Sequence, residues 1–560
     1  MIAKTYTCSL LGIDAILVEV EVDLAPGFPG FATVGLPDNI VKESKDRVKA
    51  AIQNSGYPFP FERITVNLAP AALKKEGAGF DLPIAVGILA ALGIVTAEKA
   101  AKTIFCGELA LDGRVKPVAG CLPMAVQARD CGYSDFIVPA ENAQEAAVLT
   151  EVGGQRTEGG GRKTDEGSSV MTENGRRKTE EGCSVLGPPS SVLGPPSSVL
   201  RSPFSVRPVN HLSEVVEYLN GRSDLPVFRS DPDSIWNTGP SDELDFEDVK
   251  GQEHAKRGLE VAAAGSHNVL MIGPPGSGKT MLAQRLSGIL PPLSFDEAIE
   301  TSKVFSVAGL LDNSPLIVKR QFRAPHHTIS DAGLVGGGHM PKPGEVSLAH
   351  NGVLFLDEFP EFRRNVLDLL RQPLEDGRVT IARAAIALTY PARFMLVGAM
   401  NPCPCGYSGD PVRPCTCSPR AVMKYRSRIS GPILDRIDLH IEVPSVKYEQ
   451  LRAEGESEKS SVVRERVLQA RQIQLNRLSG EGIYSNSQMK PKHLKKFCRL
   501  DAAGQSILDQ AVRQLGLSAR AYHRILKVSR TIADLETTEN ISSVHLLEAI
   551  QYRSLDRRLF

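Results

Sequence analysis

Aromatic side chains and long apolar runs are both scarce in this sequence. Phenylalanine, tryptophan and tyrosine make up 6% of its 560 residues, and tryptophan occurs once, at Trp236. The longest apolar run extends from Leu82 to Val95, shorter than the roughly 20 residues needed to cross a bilayer. The N-terminal residues lack a charged segment followed by an apolar core, so we expect no signal peptide and no membrane contact. We therefore expect a cytoplasmic protein.

The sequence also has no excess of either charge. Lysine plus arginine and aspartate plus glutamate number 65 each, so any basic surface for nucleic acid must be local. Ten cysteines in an expected cytoplasmic chain favour thiols or metal ligands over a disulfide framework. The content of 42% hydrophobic and 23% charged residues is typical of a globular protein, and the length predicts about three or four domains.

The strongest motif is a phosphate-binding loop. It consists of Gly273, Pro274, Pro275, Gly276, Ser277, Gly278, Lys279 and Thr280. Its glycines let backbone N–H groups surround phosphate, Lys279 supplies charge for the β- and γ-phosphates, and the Thr280 hydroxyl is placed to bind Mg²⁺. The short run 268–272, apolar after Asn268, predicts a buried strand before the loop, and 281–286 predict a helix after it. The expected cofactors are ATP and Mg²⁺.

Two further apolar runs end in polar side chains. Residues 352–356 predict a buried strand that delivers Asp357 and Glu358 to the phosphate loop. We expect Asp357 to hold Mg²⁺, directly or through water, and Glu358 to orient and deprotonate the attacking water. Residues 394–400 predict a third strand, which ends at the amide of Asn401.

A cysteine cluster follows at once, formed by Cys403, Cys405, Cys415 and Cys417. Four thiols so close together favour a closed tetrahedral Zn²⁺ site with a structural role, because four thiolates leave no position for substrate. The spacing is Cys-x-Cys rather than the commoner Cys-x-x-Cys, and free or redox-active thiols are the alternative. A local basic patch surrounds the cluster, comprising Arg413, Arg420, Lys424, Arg426 and Arg428, and a solvated surface explains it equally well.

Residues 378–391 predict a β-hairpin. Its Arg378 and Arg383 are candidates for tracking a nucleic-acid backbone, and an ordinary strand pair with solvated arginines is the alternative. The neighbours His326 and His327 suggest a metal site at first sight. Adjacent histidines seldom converge on one ion without further ligands, so we expect an ordinary loop there.

The N-terminal part, residues 1–152, predicts an α/β domain. Strands are expected at 15–22 and 64–68, with helices at 38–55, capped by Asp38, and at 81–92. Residues 153–204 are rich in Gly, Ser and Pro, contain short repeats and predict a disordered insertion without a function of its own. The domain resumes with residues 205–221, and a polar linker follows at 222–244.

These motifs, in this order, resemble the YifB/ComM family of magnesium-chelatase-like AAA+ ATPases. Residues 34–38, 74–83 and 107–115 carry the resemblance in the N-terminal part. The implied architecture is α/β multidomain. It comprises a Lon/S5-like α+β domain at 1–152 plus 205–221, the insertion 153–204, the linker 222–244, an AAA+ P-loop α/β core at 245–484 and a helical lid at 485–560.

The resemblance also implies roles for single residues. Gly79 and Leu122 occupy the nucleophile and base positions of Lon-type proteases, so the N-terminal domain is expected to be catalytically dead. It either binds DNA or a partner, or serves as a structural collar. Asn401 matches sensor 1, which helps to position the attacking water.

Two arginines are expected to reach a γ-phosphate. The resemblance makes Arg436 the arginine finger, acting on the neighbouring subunit of a ring, and Arg520 the sensor 2 residue, acting in cis. Arg428 is the other candidate for the finger, and Arg524 is the other candidate for sensor 2. Alternatively, Arg436 forms a local salt bridge and Arg520 is an ordinary surface arginine. A finger implies a ring, and the expected partner is therefore a homo-hexamer.

The function implied is an ATP-driven motor on single-stranded or branched DNA. A helicase or branch-migration activity in recombination or natural transformation is expected. Two alternatives remain: a magnesium chelatase subunit that drives Mg²⁺ insertion into protoporphyrin, and an ATP-dependent protein-remodelling or assembly factor.

Overall fold

The computed structural model describes residues 2–75, 77–148, 204–230, 244–311, 315–338, 341–382, 387–410, 413–446, 457–553 and 555. The chain divides into two units, residues 1–234 with 311–315, and residues 235–310 with 316–560. Apart from Phe204, the predicted insertion lies outside the described residues, as do Trp236 and most of the predicted linker. The predicted domain boundaries therefore stay predictions. Within the described ranges, no helix is long and apolar enough to cross a membrane.

The first unit is built on a mixed sheet of seven strands in the order β3-β4-β2-β1-β5-β8-β9. Only β1/β2 and β2/β4 pair antiparallel among these neighbours. Two further short strands, β6 and β7, pair with each other. The strands are β1 (Ile2–Leu11), β2 (Asp14–Ala25), β3 (Gly30–Val34), β4 (Arg63–Ala69), β5 (Thr103–Phe105), β6 (Glu108–Leu109), β7 (Val115–Lys116), β8 (Asp135–Pro139) and β9 (Ser205–Val209).

Helices cover this sheet and supply much of its core. They are α1 (Asn39–Asn54), α2 (Asp81–Ala91), α3 (Ala97–Ala101), α4 (Cys121–Asp130), α5 (Ala143–Ala147) and α6 (Leu212–Leu219). Every residue of α2 is buried, which agrees with its apolar character on all sides. Gly87 lets this helix lie close to the sheet, since an added Cβ would lie 2.7 Å from the Val22 side chain.

The predicted helix at 38–55 is confirmed as α1. The Asp38 carboxylate accepts a hydrogen bond from the Val41 N–H at 2.8 Å and so caps the first turn. Val41, Val48 and Ile52 recur at helical spacing and are buried. Sequence pattern was sufficient here because both the cap and the apolar stripe are local.

The second unit contains a fully parallel sheet of five strands in the order β11-β14-β17-β10-β18. Two separate two-stranded ribbons, β12/β13 and β15/β16, are antiparallel. The strands are β10 (Val269–Ile272), β11 (Phe322–Arg323), β12 (Gly336–Gly337), β13 (Lys342–Pro343), β14 (Val353–Leu356), β15 (Arg378–Ala382), β16 (Ala387–Pro391), β17 (Met395–Met400) and β18 (Leu439–Glu442). The hairpin predicted at 378–391 is thus confirmed.

Helices of the second unit pack around this sheet. They are α7 (Glu253–Gly265), α8 (Lys279–Ile289), α9 (Phe295–Ala308), α10 (Asp331–Val335), α11 (Glu345–Leu348), α12 (Arg364–Leu369), α13 (Arg371–Asp376), α14 (Pro419–Arg426), α15 (Gly431–Leu434), α16 (Ser460–Arg477), α17 (Pro491–Phe497), α18 (Ala502–Leu515), α19 (Ala519–Leu535) and α20 (Ser543–Gln551). Buried side chains of α16, α19 and α20 join those of the sheet in one apolar core.

Single 3-10 turns occur in both units, at Ala78–Phe80, Ala140–Asn142, Phe246–Asp248, Phe359–Glu361 and Asn486–Gln488. The parallel sheet matters most for function, because all its strands end at the same edge. Side chains that follow β10, β14 and β17 therefore meet there, where ligands of open α/β sheets bind.

Candidate active site

The loop between β10 and α8 carries the phosphate-binding motif. Gly276 and Gly278 turn it through φ of 75° and 90°, left-handed backbone that favours glycine. Gly273 is required for a different reason, since an added Cβ would lie 2.0 Å from the carbonyl oxygen of Val443. α8 begins at Lys279, so the positive end of the helix dipole faces the loop.

The Lys279 side chain folds back into this loop. Its Nζ donates hydrogen bonds to the carbonyl oxygens of Gly273 and Pro274, both at 2.8 Å, and lies 3.3 Å from Oδ1 of Asn401. Burial lowers the pKa of Lys279, and the nearby Asp357 charge opposes this shift. Neutral acceptors thus hold the ammonium at the centre of the loop, and phosphate oxygens can replace them.

Polar side chains that follow β14 and β17 converge on the loop that follows β10. β17 lies between β10 and β14, so Asn401, Asp357 and Glu358 follow neighbouring strand ends. The Thr280 hydroxyl donates a hydrogen bond to Oδ2 of Asp357 at 2.7 Å. Two adjacent oxygen ligands of this kind suit Mg²⁺, which prefers hard donors and few protein ligands.

A cavity of about 670 Å³ opens above these groups. Residues 275–280 of the loop line it together with Asp357, Glu358 and Asn401. Its volume lies within the range of small-molecule sites, about 300–1,000 Å³. The sequence-predicted phosphate, magnesium and water-activating groups are therefore brought together in one place.

The cavity also contains the histidine pair, which we expected to be an ordinary loop. His326 and His327 also line the cavity, with ring centroids 4.1 Å apart. Nδ1 of His327 lies 3.2 Å from Oε2 of Glu358. No local sequence pattern indicates this contact, because it depends on the pairing of residues 322–323 with the strand before Glu358.

The two arginines expected at a γ-phosphate both lie beside the carboxylate of Glu375. Arg436 is 8% exposed, and its guanidinium lies 2.5 Å from Oε1 of Glu375. Arg520 is 58% exposed and lies 3.6 Å from the same oxygen. Hydrogen bonding from Arg436, followed by the charges of Arg436 and Arg520, lowers the pKa of Glu375. Neither arginine belongs to the cavity lining in the part of the chain that the structure describes.

Arg428 and Arg524, the other candidates for the finger and for sensor 2, differ in exposure. Arg428 is 49% exposed, and its Nη1 donates a hydrogen bond to Oε2 of Glu361 at 2.6 Å. Arg524 is 20% exposed and pairs with Asp438, just before β18. Despite the opposing effect of burial, Arg524 and His267 hold the pKa of Asp438 well below its usual value. Arg524 therefore connects α19 to the sheet.

The four clustered cysteines form a compact group of sulfurs. All four Sγ atoms lie within 4.8 Å of one another, and the pairs 403–405, 405–415 and 403–415 are 3.3, 3.5 and 3.6 Å apart. A tetrahedral Zn²⁺ with Zn–S bonds of about 2.3 Å places its sulfurs about 3.8 Å apart. The donor set and its spacing therefore fit zinc.

Backbone N–H groups favour the thiolate form of Cys405. In Cys415 and Cys417, a backbone hydrogen bond is outweighed by desolvation and by hydrogen bonds with the neighbouring thiols, which raise the pKa of Cys415 to about 12 and that of Cys417 above its usual value. The N–H of Cys405 donates to Sγ of Cys417, and the N–H of Ser408 donates to Sγ of Cys403, both at 3.3 Å. Hydrogen bonds from the backbone of Tyr407 and Thr416 lower the pKa of Cys405 to about 5. Thiolate is the form that binds metal.

The hairpin β15/β16 and the basic patch are the candidate nucleic-acid contacts. Arg378 is exposed at the start of β15, while Arg383 lies outside the described residues. Lys424 and Arg413 are also exposed, and Arg413 stacks on Tyr407 at 5.4 Å. These side chains place positive charge on the surface of the second unit.

In the first unit, the two positions compared with Lon-type proteases lie in apolar surroundings. Gly79 lies in the turn Ala78–Phe80, where an added Cβ would lie 3.4 Å from Sγ of Cys106. Leu122 is fully buried in α4. Neither position presents a nucleophile or a base.

Comparison with known families gives three matches along the chain. Residues 20–142 match the model described as subunit ChlI of Mg-chelatase, and residues 245–451 match magnesium chelatase, subunit ChlI. Residues 457–553 match the C-terminal model of the same subunit. The matched ranges contain the phosphate loop, the acidic strand end and the cysteine cluster.

Individual relatives extend over the whole chain. Competence protein ComM of Haemophilus influenzae is 44% identical over 561 residues, covering 100% of this chain and 98% of that protein. The protein YifB of Escherichia coli is 40% identical over 558 residues, covering 99% and 97%. The magnesium-chelatase 38 kDa subunit of Rhodobacter capsulatus is 28% identical over 229 residues, which cover 37% of this chain. The chain thus belongs to the ComM/YifB family of magnesium-chelatase-like AAA+ ATPases.

Proposed function

We propose that this protein is a cytoplasmic, ATP-hydrolysing ring motor that acts on DNA. The observation that carries the proposal is the cavity where Lys279, Thr280, Asp357, Glu358 and Asn401 converge. Phosphoryl transfer needs this combination of a cation, a magnesium site and a group that activates water. ATP hydrolysis follows from membership of the family. The action on DNA is the further step of this proposal.

Each group has a defined task in hydrolysis. The phosphate loop and Lys279 bind the β- and γ-phosphates, and Thr280 and Asp357 hold Mg²⁺. When bound, Mg²⁺ neutralises the charge that develops on the phosphate oxygens. Glu358 accepts a proton from the attacking water, and the Asn401 amide helps to orient that water.

A neighbouring subunit completes the site in this proposal. An arginine finger stabilises charge on the transferred phosphoryl group, which requires a ring, and we propose a homo-hexamer. Because a finger must reach across a subunit boundary, exposure favours Arg428 over the buried Arg436. Arg520, at the start of α19, is proposed as sensor 2.

DNA is the proposed substrate of the motor. The exposed Arg378 on the hairpin, together with Arg383, provides charge for a phosphate backbone, as does the basic patch around the cysteines. The name of the ComM relative, a competence protein, points to the same biology. We propose helicase or branch migration on single-stranded or branched DNA, with the Lon-like N-terminal domain as a non-catalytic binding module.

A second candidate is a magnesium chelatase motor. The family models carry that name, and the Rhodobacter capsulatus subunit matches part of the chain. That match covers 37% of the chain, whereas ComM covers 100%, so the DNA motor is the better supported proposal.

The decisive measurement is ATP hydrolysis with and without single-stranded, forked and four-way DNA. We expect DNA to stimulate turnover, and Glu358→Gln to lower it at least about 100-fold while ATP still binds, because the general base is lost. Turnover that is indifferent to every DNA contradicts the DNA motor. In that case, stimulation by a porphyrin-binding partner, or by a protein substrate, tests the two alternatives.

A further inference from the structure

Residues 401–406, the cysteine loop, contact the phosphate loop at both of their ends. At the first end, Oδ1 of Asn401 accepts a hydrogen bond from Nζ of Lys279 at 3.3 Å. At the other end, the backbone of Gly406 packs against the ring of Pro275, since a Cβ added at Gly406 would lie 2.4 Å from Cδ of that proline. The cysteine loop therefore lies directly against the group of atoms that is expected to hold phosphate.

A tight turn brings Gly406 to this contact. The N–H of Gly406 donates a hydrogen bond to the carbonyl oxygen of Cys403 at 2.9 Å, and the φ of Gly406 is 88°, in the left-handed region. The same turn carries two of the four clustered thiols. Sγ of Cys403 and Sγ of Cys405 lie 3.3 Å apart, and they lie 3.6 and 3.5 Å from Sγ of Cys415. The turn that presents Gly406 is thus shaped by the candidate metal ligands.

Pro275 lies between two positions on which the shape of the phosphate loop depends. The carbonyl oxygen of Pro274, just before it, accepts a hydrogen bond from Nζ of Lys279 at 2.8 Å. Gly276, just after it, has a left-handed backbone with φ of 75°. The proline ring fixes its own φ and cannot move aside by a change of rotamer. Its contact with Gly406 therefore constrains the part of the loop that holds the Lys279 ammonium.

Hydrogen bonds fix the chain on either side of this turn. Before it, the carbonyl oxygen of Pro402 accepts a hydrogen bond from Nε of Arg426, the last residue of α14, at 3.1 Å. After it, Oδ2 of Asp410 accepts one from the Ser445 hydroxyl at 3.2 Å. The sulfur cluster organises the turn between these two anchored points.

We propose that the four-cysteine site governs the affinity for ATP. With the metal bound, the cysteines fix the turn that supports Pro275, and the phosphate loop then binds ATP more tightly than in protein stripped of metal. Because coupling between two binding sites is reciprocal, bound ATP strengthens metal binding by the same factor. The proposal rests on the proposed function in one respect, that ATP is the ligand of the phosphate loop.

The first test compares zinc-loaded full-length protein with protein stripped by a zinc-selective chelator. A fluorescent, non-hydrolysable ATP analogue is titrated in the presence of Mg²⁺, and circular dichroism reports whether the stripped protein is folded. Stripping should weaken binding of the analogue about 5- to 150-fold, the range typical of coupling between two sites. In the reverse experiment, a saturating concentration of the analogue should reduce the zinc that passes to a coloured chelator at equilibrium.

A matched pair of glycine variants tests the contact itself while all four cysteines are kept. Gly406 and Gly409 have nearly the same left-handed φ, 88° and 86°, so alanine causes similar backbone strain at both positions. They differ in surroundings, because a Cβ at Gly409 would have no atom within 4 Å. Gly406→Ala should therefore weaken binding of the analogue at least about fivefold more than Gly409→Ala, the lower end of such coupling. Zinc content is measured in both variants.

Weaker binding in the folded, stripped protein and in Gly406→Ala supports the proposal. Equal affinities of loaded and stripped protein overturn it, and so do equal affinities of the two glycine variants. If stripping unfolds the protein, the glycine variants decide the question. A folded wild-type protein that takes up no zinc also overturns the proposal, whereas a wild-type protein that binds no ATP contradicts the proposed function itself.

Discussion

At the scale of single residues, the phosphate loop needs glycine for two separable reasons. At Gly273 the neighbouring strand leaves no room for a side chain, and at Gly276 the backbone is left-handed with open space around it. Steric exclusion by backbone atoms cannot be relieved by a rotamer change. Substitutions at these two positions therefore measure two different effects: a steric clash at Gly273 and left-handed backbone strain at Gly276.

Gly273→Ala should weaken ATP binding far more than Gly276→Ala. The first places Cβ 2.0 Å from the Val443 carbonyl oxygen and forces the loop to shift. The second costs only left-handed backbone strain, about 1 kcal/mol, or less than about tenfold in affinity. Titration with a fluorescent ATP analogue checks this, and equal affinities for the two variants would show that the loop shape is not set by Val443.

At the scale of elements, α13 connects two predicted functions. It carries Glu375, which binds Arg436 and Arg520, and continues through Gly377 into the hairpin β15/β16. Nearby, Ser430 donates a hydrogen bond to Asp368 and receives one from Arg371. These contacts join the hairpin, through α13, to the segment that contains Arg428 and Arg436.

The segment between β17 and α14 is organised by its four thiols. We expect purified protein to contain about one zinc per chain, since four cysteines make a closed structural site. Cys405→Ser should remove most of that zinc and lower the melting temperature, because binding a structural metal contributes to folding.

Metal analysis by mass spectrometry, combined with thermal melting, makes the measurement. Cys131→Ser is the control, since Cys131 lies in the other unit, on the loop after α4, and should leave the zinc content unchanged. The zinc assignment would be contradicted if Cys405→Ser kept its full zinc content. It would also be contradicted if the well-folded wild-type protein contained no zinc.

At the scale of the whole molecule, activity should depend on contacts between subunits. Arg428→Ala should retain ATP binding and fold but lose turnover by about 10³-fold, the contribution typical of an arginine finger. Arg436→Ala should instead lower the melting temperature, since Arg436 is buried against Glu375. Turnover and melting curves of both variants make the comparison.

Mixing experiments sharpen this test. Arg428→Ala subunits keep their phosphate loop, and Lys279→Ala subunits keep their finger, so mixed rings should recover part of the lost turnover. Light scattering with ATP reports whether rings form. Failure to recover activity from mixed rings would rule out Arg428 as a residue that acts on a neighbour.

The sequence by itself determined the local parts of this protein. The phosphate loop, the acidic strand end, the Asp38 cap and the hairpin at 378–391 were all predicted from short patterns, because each depends on residues close together in the chain. The cysteine cluster was also evident from spacing alone. Because the residues of each motif are close together in the chain, these motifs form with little dependence on the rest of the fold.

Only the tertiary structure decided which distant residues meet. His327 reaches Glu358 because β11 pairs with β14 in one register, and no local pattern specifies that pairing. The burial of Arg436 against Glu375 likewise results from packing between segments far apart in the sequence. Side-chain partners of this kind depend on the order of strands in the sheet, which periodicity and composition do not encode.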